Sequence, residues 1–495
     1  MKGKSVLSKI EYKHIFYLIF IAIALRFIFA AFYTFSGDAC WHLSAARFFS
    51  EYGRLPLFER IGRNMPFWTP PLFHILAGLI MKLFSFAGKN ISDFLVKMLS
   101  PLLNAFGIYY AFKLYKKLRL NKAMIFFSML FFCLTPMSLY LGYLPYLDAI
   151  VASILVISIF FFVDGRYLLS GIFFGLSNLT KYNAAPMAPL FLWLIYIKLF
   201  RQREHGWLTK SLCFILPAGV LGLFIYVRNF LLFSNPVFIT AAPVANLSGF
   251  FDPKTYFTLY LGLLSVPASH STNLEIVTHY SLSLLVIWFI LSTLYFLPML
   301  YGFFRFRYID QKRFIIAGLF GYILFFIFVL FYRASEIRLR YFLPMFIFLS
   351  IIWAQGITSI FSFVKRNRIF RSAVLAVLFV CVAMFILQEP VKLYIGHKSW
   401  ESYDAVFSWA DKNIPKNATV LELDDLNQCL SYHLFDRTLI WEFEPEKIAA
   451  ADPLYIWDGW GKMSSSGYGA LYQDQVSGIQ IYKVKGSDIK IDDVS

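Results

Sequence analysis

The sequence predicts an all-α polytopic membrane bundle followed by a small soluble α/β domain, and three observations predict it. The 495 residues are 59% hydrophobic and 15% charged, whereas soluble globular domains carry roughly 25% charged residues. Apolar stretches of about 20 residues, the length a bilayer core requires, recur as far as residue 388. From Glu389 onward the long apolar runs stop and acidic residues rise. The chain therefore divides into a membrane domain, 1–388, and a soluble domain, 389–495.

Spans and their orientation follow from charge placement. Lys2, Lys4, Lys9 and Lys13 hold the N-terminus in the cytoplasm, because Lys and Arg collect on the inner side. The same rule accounts for the net charge of +17 without a nucleic-acid partner. Span 1 covers 14–35 and reads as an uncleaved signal anchor, since no small-residue cleavage site follows its apolar core. A first outer loop, 36–91, holds a surface helix from Ala39 to Tyr52 and a short apolar helix from Pro70 to Phe86. Read as interfacial rather than spanning, that second helix leaves Lys113, Lys116, Lys117, Arg119 and Lys122 inside. Spans 93–112, 123–143, 149–163, 167–179, 183–199 and 211–233 then alternate. A second outer loop, 234–281, carries Pro243, Pro253 and Pro267, and spans 282–304, 314–332, 341–361 and 372–388 bring the total to about eleven. The soluble segment has helical periodicity over Ser402–Asn413. Short strands are expected at Thr419–Leu423, Leu439–Phe443, Leu454–Trp457 and Ile479–Val484. On this topology it lies outside the membrane. The five cysteines form neither a metal-ligand spacing nor a disulfide framework.

Ionisable residues at the outer ends of spans are the candidates for chemistry, because a charge entering an apolar span is costly unless it is paired or used. Asp38, in Ser36-Gly37-Asp38, follows span 1 and opens the surface helix, and suits a general base. As a helix N-cap, Asp is also a preferred residue there. Asp148 begins span 4 at the same expected face, with the same bland alternative. Lys181, between two apolar segments, either binds an anion or snorkels to the interface. Arg228 sits within the outer part of span 7. Glu336, Arg338 and Arg340 precede span 10, and two Arg at a lipid–water boundary suit a phosphate. His42, one helical turn after Asp38, and His74, in the interfacial helix, are polar or metal-ligating candidates. A divalent cation held by His42 and Asp148 is the only cofactor these residues would suit.

These pieces together resemble the GT-C superfamily of polyprenyl-phosphate-sugar-dependent glycosyltransferases, in the branch of the protein O-mannosyltransferases and the aminoarabinose transferase of lipid A. The resemblance is carried by Gly37-Asp38 with its following helix, Pro70-Pro71-Leu72-Phe73, Leu147-Asp148, Gly171 to Lys181, Arg228-Asn229 through Asn235-Pro236, and Glu336 to Pro344. Ala39 stands where many relatives carry a second acidic residue, and Thr69 where many carry Lys. The resemblance implies an inverting transfer of sugar from a polyprenyl-phosphate carrier to an acceptor hydroxyl of a lipid, glycan or protein at the outer face of the cell membrane. It implies Asp38 as catalytic base and Asp148 as the family's second acidic position. Lys181, Arg228, Arg338 and Arg340 would contact the donor phosphate. The reading from a different class is a transporter or flippase. Against it, the notable charges lie at span ends rather than at mid-membrane, and no repeated halves are visible.

Overall fold

A computed structural model describes residues 9–60, 65–202, 205–236, 282–306, 311–333, 339–364, 367–423, 427–440, 445–459, 463, 468–475 and 477–486. The chain is mostly helical, with one five-stranded sheet near its C-terminus. It folds as two compact units, one of Met1–Ala31 with Met98–Pro390 and one of Phe32–Lys97 with Val391–Ser495. The first outer loop thus groups with the C-terminal segment by contact, where the sequence analysis placed 36–91 within 1–388.

The larger unit follows the expected spans closely. The helices are α1 (Tyr12–Phe32), α2 (Asp38–Tyr52), α3 (Leu72–Leu83), α4 (Lys89–Lys117), α5 (Lys122–Leu134), α6 (Pro136–Tyr143), α7 (Leu147–Val163) and α8 (Tyr167–Thr180). They continue as α9 (Ala188–Leu194), α10 (Trp207–Phe233), α11 (Leu282–Phe304), α12 (Lys312–Arg333), α13 (Phe346–Phe363) and α14 (Arg368–Asn413). Among the described residues six helices are long and apolar enough to span a membrane, and a seventh span is the bent pair α5–α6. The chain is an integral membrane protein. Helix α7 is apolar on every side and is buried from Leu147 to Phe162, as a bundle's central helix must be. Gly171 and Gly175 let α8 approach α10 closely. A Cβ on Gly171 would stand 2.2 Å from the Phe214 carbonyl oxygen, so any side chain there would force the helices apart.

The bend of 56° between α5 and α6 follows from Pro136, which has no N–H to give to the Phe132 carbonyl. Inside a membrane every such group needs an internal partner. Ser138 Oγ donates to the Phe132 oxygen at 2.5 Å, and Thr135 Oγ1 donates to the Phe131 oxygen. Arg26, fully buried in α1, donates Nη2 to the carbonyls of Cys133 at 2.7 Å and Ser138 at 3.0 Å.

In the smaller unit the sheet order is β2-β1-β3-β5-β4, from β1 (Thr419–Glu422), β2 (Thr438–Ile440), β3 (Leu454–Asp458), β4 (Ala470–Gln473) and β5 (Gln480–Val484). Strand β1 is parallel to β2 and β3, and β5 is antiparallel to β3 and β4. Leu421, Ile440, Leu454, Ile456 and Val484 build its core with Ile448 of α16 (Pro445–Ala449). Helix α15 (Asn427–His433) packs on α2 and is fastened at both ends. Cys429 is disulfide-bonded to Cys40, which corrects the expectation of no disulfide framework. The C-terminal carbonyls of this turn receive Arg47 (to Tyr432, 2.9 Å) and Arg60 (to Phe435, 2.8 Å), both guanidiniums lying over the Phe435 ring. Tyr432 donates its hydroxyl to Asp93 of α4. A second correction concerns Glu389. The compositional break there does not end the helix, and α14 runs unbroken for 46 residues from Arg368 to Asn413 with Pro390 inside it.

Candidate functional site

In the smaller unit the feature of interest is the start of α2. Gly37 has φ of 51°, a backbone conformation that side-chain-bearing residues rarely adopt, and the amides of Ala39 and Cys40 close turns onto Ser36 and Gly37. Gly37 is the N-cap, so Asp38 is the first helical residue and not the cap that its residue type suggested. Its carboxylate lies at the positive end of the helix dipole, which favours the ionised form. Ala39, Cys40 and Leu43 form the buried face of α2, while Asp38 and His42, one turn apart, are half-buried on the other.

Behind His42 stands His74 of α3, fully buried among Trp41, Phe67 and Phe73. His42 Nδ1 and His74 Nε2 are 3.0 Å apart, so one donates a hydrogen bond to the other. Burial pushes the His74 imidazole down to about 3, which keeps it neutral. The approach of α3 to α2 depends on Gly78, where a Cβ would stand 2.6 Å from the Ala46 carbonyl oxygen. Among the described residues no three His, Cys, Asp or Glu side chains form a metal-binding group. His42 and His74 were each legible from sequence as single polar residues, but their pairing was not.

In the larger unit Asp148, Lys181 and Arg340 come together. Lys181 Nζ donates to Asp148 Oδ1 at 2.7 Å, and Arg340 Nε lies 3.8 Å from Asp148 Oδ2. The side chains of Asp148, Arg340 and Lys181 are 2%, 12% and 21% exposed, so Lys181 is the most open of a nearly closed set. Asp148 is the second residue of α7, and its carboxylate serves these two cations instead of capping the helix. Lys181 is aimed by the end of α8, where the backbone turns extended after Thr180. The next turn is fixed by Asn183, which donates to the Tyr341 carbonyl at 3.1 Å and accepts at its own carbonyl from Tyr322 at 2.7 Å. Tyr341 lies under both cations, and Tyr146 under Arg340. One carboxylate facing two permanent cations leaves one unit of positive charge in a mostly desolvated, aromatic-walled place.

Arg228 lies on α10 and donates to Asn229 Oδ1 at 3.0 Å. It is within electrostatic reach of Tyr182, the residue after Lys181, whose ring packs against Tyr226 at 5.3 Å. An open groove of 660 Å³ runs along α10 past Val220, Leu223, Phe224 and Leu231, with Arg228 its one charged wall residue. Glu336 and Arg338 lie outside the described residues. Sequence reasoning missed the aromatic walls Tyr146 and Tyr341, and the buried carboxylate of Glu389, which accepts from the Tyr143 hydroxyl at 2.7 Å. The signal for Glu389 was the rule already applied to Asp148, a carboxylate at a span end.

No protein-family model matches the chain, and no curated protein sequence matches it. Solved structures do share its fold. ArnT from Cupriavidus metallidurans, bound to undecaprenyl phosphate, aligns with a TM-score of 0.60 at 11% identity, covering 95% of this chain and 97% of ArnT. The oligosaccharyltransferase of Archaeoglobus fulgidus, in complex with zinc and sulfate, aligns at 0.55 and 11% identity over 96% of this chain and 74% of its own. The archaeal oligosaccharyltransferase AglB with an inhibitory peptide and a dolichol-phosphate aligns at 0.52 and 12% identity over 97% and 75%. At these identities the likeness is one of fold, and it runs nearly the whole length of the chain.

Proposed function

We propose that this protein is a GT-C glycosyltransferase that moves a sugar, with inversion, from a polyprenyl-phosphate carrier to an acceptor hydroxyl. The observation that carries the reading is the Asp148–Lys181–Arg340 set, whose excess positive charge sits in a desolvated place where a phosphate is strongly attracted. As the glycosidic C–O bond breaks, charge builds on the departing phosphate, and Lys181, Arg340, Arg228 and Arg338 would stabilise it. Asp38 would take the proton of the acceptor hydroxyl. The apolar groove along α10, with Arg228 in its wall, suits an isoprenoid tail. The neighbours support the donor class, since ArnT was solved with undecaprenyl phosphate and AglB with a dolichol-phosphate.

In this reading the shorter apolar helices α7, α8 and the stretch Phe289–Phe304 complete a bundle of about eleven spans. The N-terminus is cytoplasmic and the sheet domain extracytoplasmic. The Cys40–Cys429 disulfide supports that side, because such bonds persist in oxidising compartments. Purified protein given a panel of radiolabelled polyprenyl-phosphate sugars tests the reading. Turnover that is lost in Lys181→Met and Arg340→Met supports it, and turnover of no donor by stable, lipid-supplied protein argues for a transporter instead.

A further inference from the structure

We infer that the acceptor is a polyol bearing adjacent hydroxyls, as a glycan does, and that His42 receives the hydroxyl next to the one Asp38 deprotonates. This deepens the proposed function and rests on Asp38 as base. The argument begins with the histidine pair. Two ring nitrogens 3.0 Å apart share one hydrogen, so one of them must hold a lone pair. His74 is enclosed, and the backbone group acting on its ring is the Pro70 carbonyl, which can only accept. That carbonyl falls short of full hydrogen-bond geometry with Nδ1, yet a lone pair turned toward it inside the protein would be repelled. His74 therefore carries its hydrogen on Nδ1 and presents a lone pair at Nε2. His42 must then donate from Nδ1, which leaves a lone pair on His42 Nε2. His74 is a positioning residue, clamped by Phe67, Phe73 and Trp41, and it sets both the tautomer and the ring plane of His42.

Helix geometry supplies the second half. Asp38 and His42 are four residues apart on the half-open face of α2, with Cβ atoms roughly 6 Å from one another. Both are hydrogen-bond acceptors, and one hydroxyl has only one hydrogen to give. Two acceptors at that spacing suit two donors. Neighbouring oxygens of a sugar ring, each a hydrogen bond of about 2.7 Å from its protein partner, bridge such a gap. The hydroxyl at Asp38 loses its proton to the carboxylate while its oxygen forms the new bond to the anomeric carbon. The phosphate leaves with the electrons of the old C–O bond. The hydroxyl at His42 keeps its proton and only orients the ring. A serine side chain or a simple alcohol offers the first contact and not the second.

Two measurements test this. The first is the kcat/KM ratio for transfer to methyl hexoside against transfer to n-octyl alcohol, measured in the wild type, His42→Phe and His74→Phe with one polyprenyl-phosphate sugar. The wild type should favour the hexoside, and each variant should reduce that preference about five- to tenfold, the worth of one neutral hydrogen bond. Equal use of both acceptors by the wild type, or variants that slow both equally, would overturn the inference while leaving the glycosyltransferase reading intact. A wild type that turns over no donor, even to water, would remove that reading and this inference with it. The second measurement needs no turnover. In 15N-histidine protein, which has eight histidines, the resonances lost in His42→Phe and in His74→Phe should belong to neutral rings protonated at Nδ1. A His42 ring protonated at Nε2 would sink the proposal.

Discussion

Replacing Asp148 by Asn should cost more stability than any other single change at the polar centre of the larger unit. The carboxylate sits 2.7 Å from Lys181 and 3.8 Å from Arg340 and is 2% exposed. At an effective dielectric near 20 these contacts correspond to gross attractions of about 6 and about 4 kcal/mol. Desolvation of three charges takes back several kcal/mol per ion, so the intact set is worth far less than the sum. Removing the carboxylate alone keeps the desolvation and loses the attraction, leaving two enclosed cations facing each other. The expected loss is about 3–5 kcal/mol. Lys181→Met should cost about 2 kcal/mol, because Arg340 still serves the carboxylate. The double variant should be no less stable than Asp148→Asn, since the second change removes a cation that the first left uncompensated. Unfolding of purified protein in detergent, followed by tryptophan fluorescence across all four forms, gives the ordering. An Asp148→Asn loss below about 1 kcal/mol, or a double variant whose loss equals the sum of the singles, would refute the reasoning.

Further expectations follow from other parts of the fold. Arg26→Met removes the donors to the Cys133 and Ser138 carbonyls at the α5–α6 bend and should destabilise by about 2–5 kcal/mol, with Arg26→Lys recovering part of the loss in the same unfolding assay. His74 and His433 have imidazoles held down to about 3 by burial, against 6.5 in the unfolded chain. Below pH 6.5 the unfolded chain therefore binds protons that the folded one refuses. Stability should fall as pH drops from 6.5 toward 3, by about 1.4 kcal/mol per pH unit for each histidine. Unfolding measured across that range should be flatter in His433→Phe, which keeps a ring stacked on Phe407. Thiol titration of the denatured, unreduced protein should count three of the five cysteines, namely Cys133, Cys213 and Cys381. A count of five would remove the disulfide between α2 and α15.

Helices were the most legible part of this chain, because a bilayer imposes one length and one polarity on them. Span 1, expected over 14–35, is α1 at Tyr12–Phe32, and the expected surface helix Ala39–Tyr52 is α2 at Asp38–Tyr52. Four of the five strands were legible from short β-branched and aromatic runs. Strand β4, Ala470–Gln473, lies after a Gly- and Ser-rich stretch and has no alternation to betray it. The Pro136 bend and the continuity of α14 past Pro390 show the limit of local rules. Each proline was visible, but its effect depended on whether other groups could satisfy the freed carbonyl. At the candidate site Asp148, Lys181 and Arg340 were named one by one, and their convergence required the third dimension. The Cys40–Cys429 bond joins residues 389 apart in sequence, and no spacing argument reaches that far.

The central claim is that the protein breaks a sugar–phosphate bond of a polyprenyl carrier and uses Asp38 to do so. Its most direct test is release or transfer of radiolabelled sugar from a panel of polyprenyl-phosphate sugars by purified wild type and Asp38→Asn, with folding of both checked by their unfolding curves. The account predicts turnover of at least one donor by the wild type and a loss of several orders of magnitude in the variant. A variant as active as the wild type, or a folded wild type that leaves every donor intact, would contradict it.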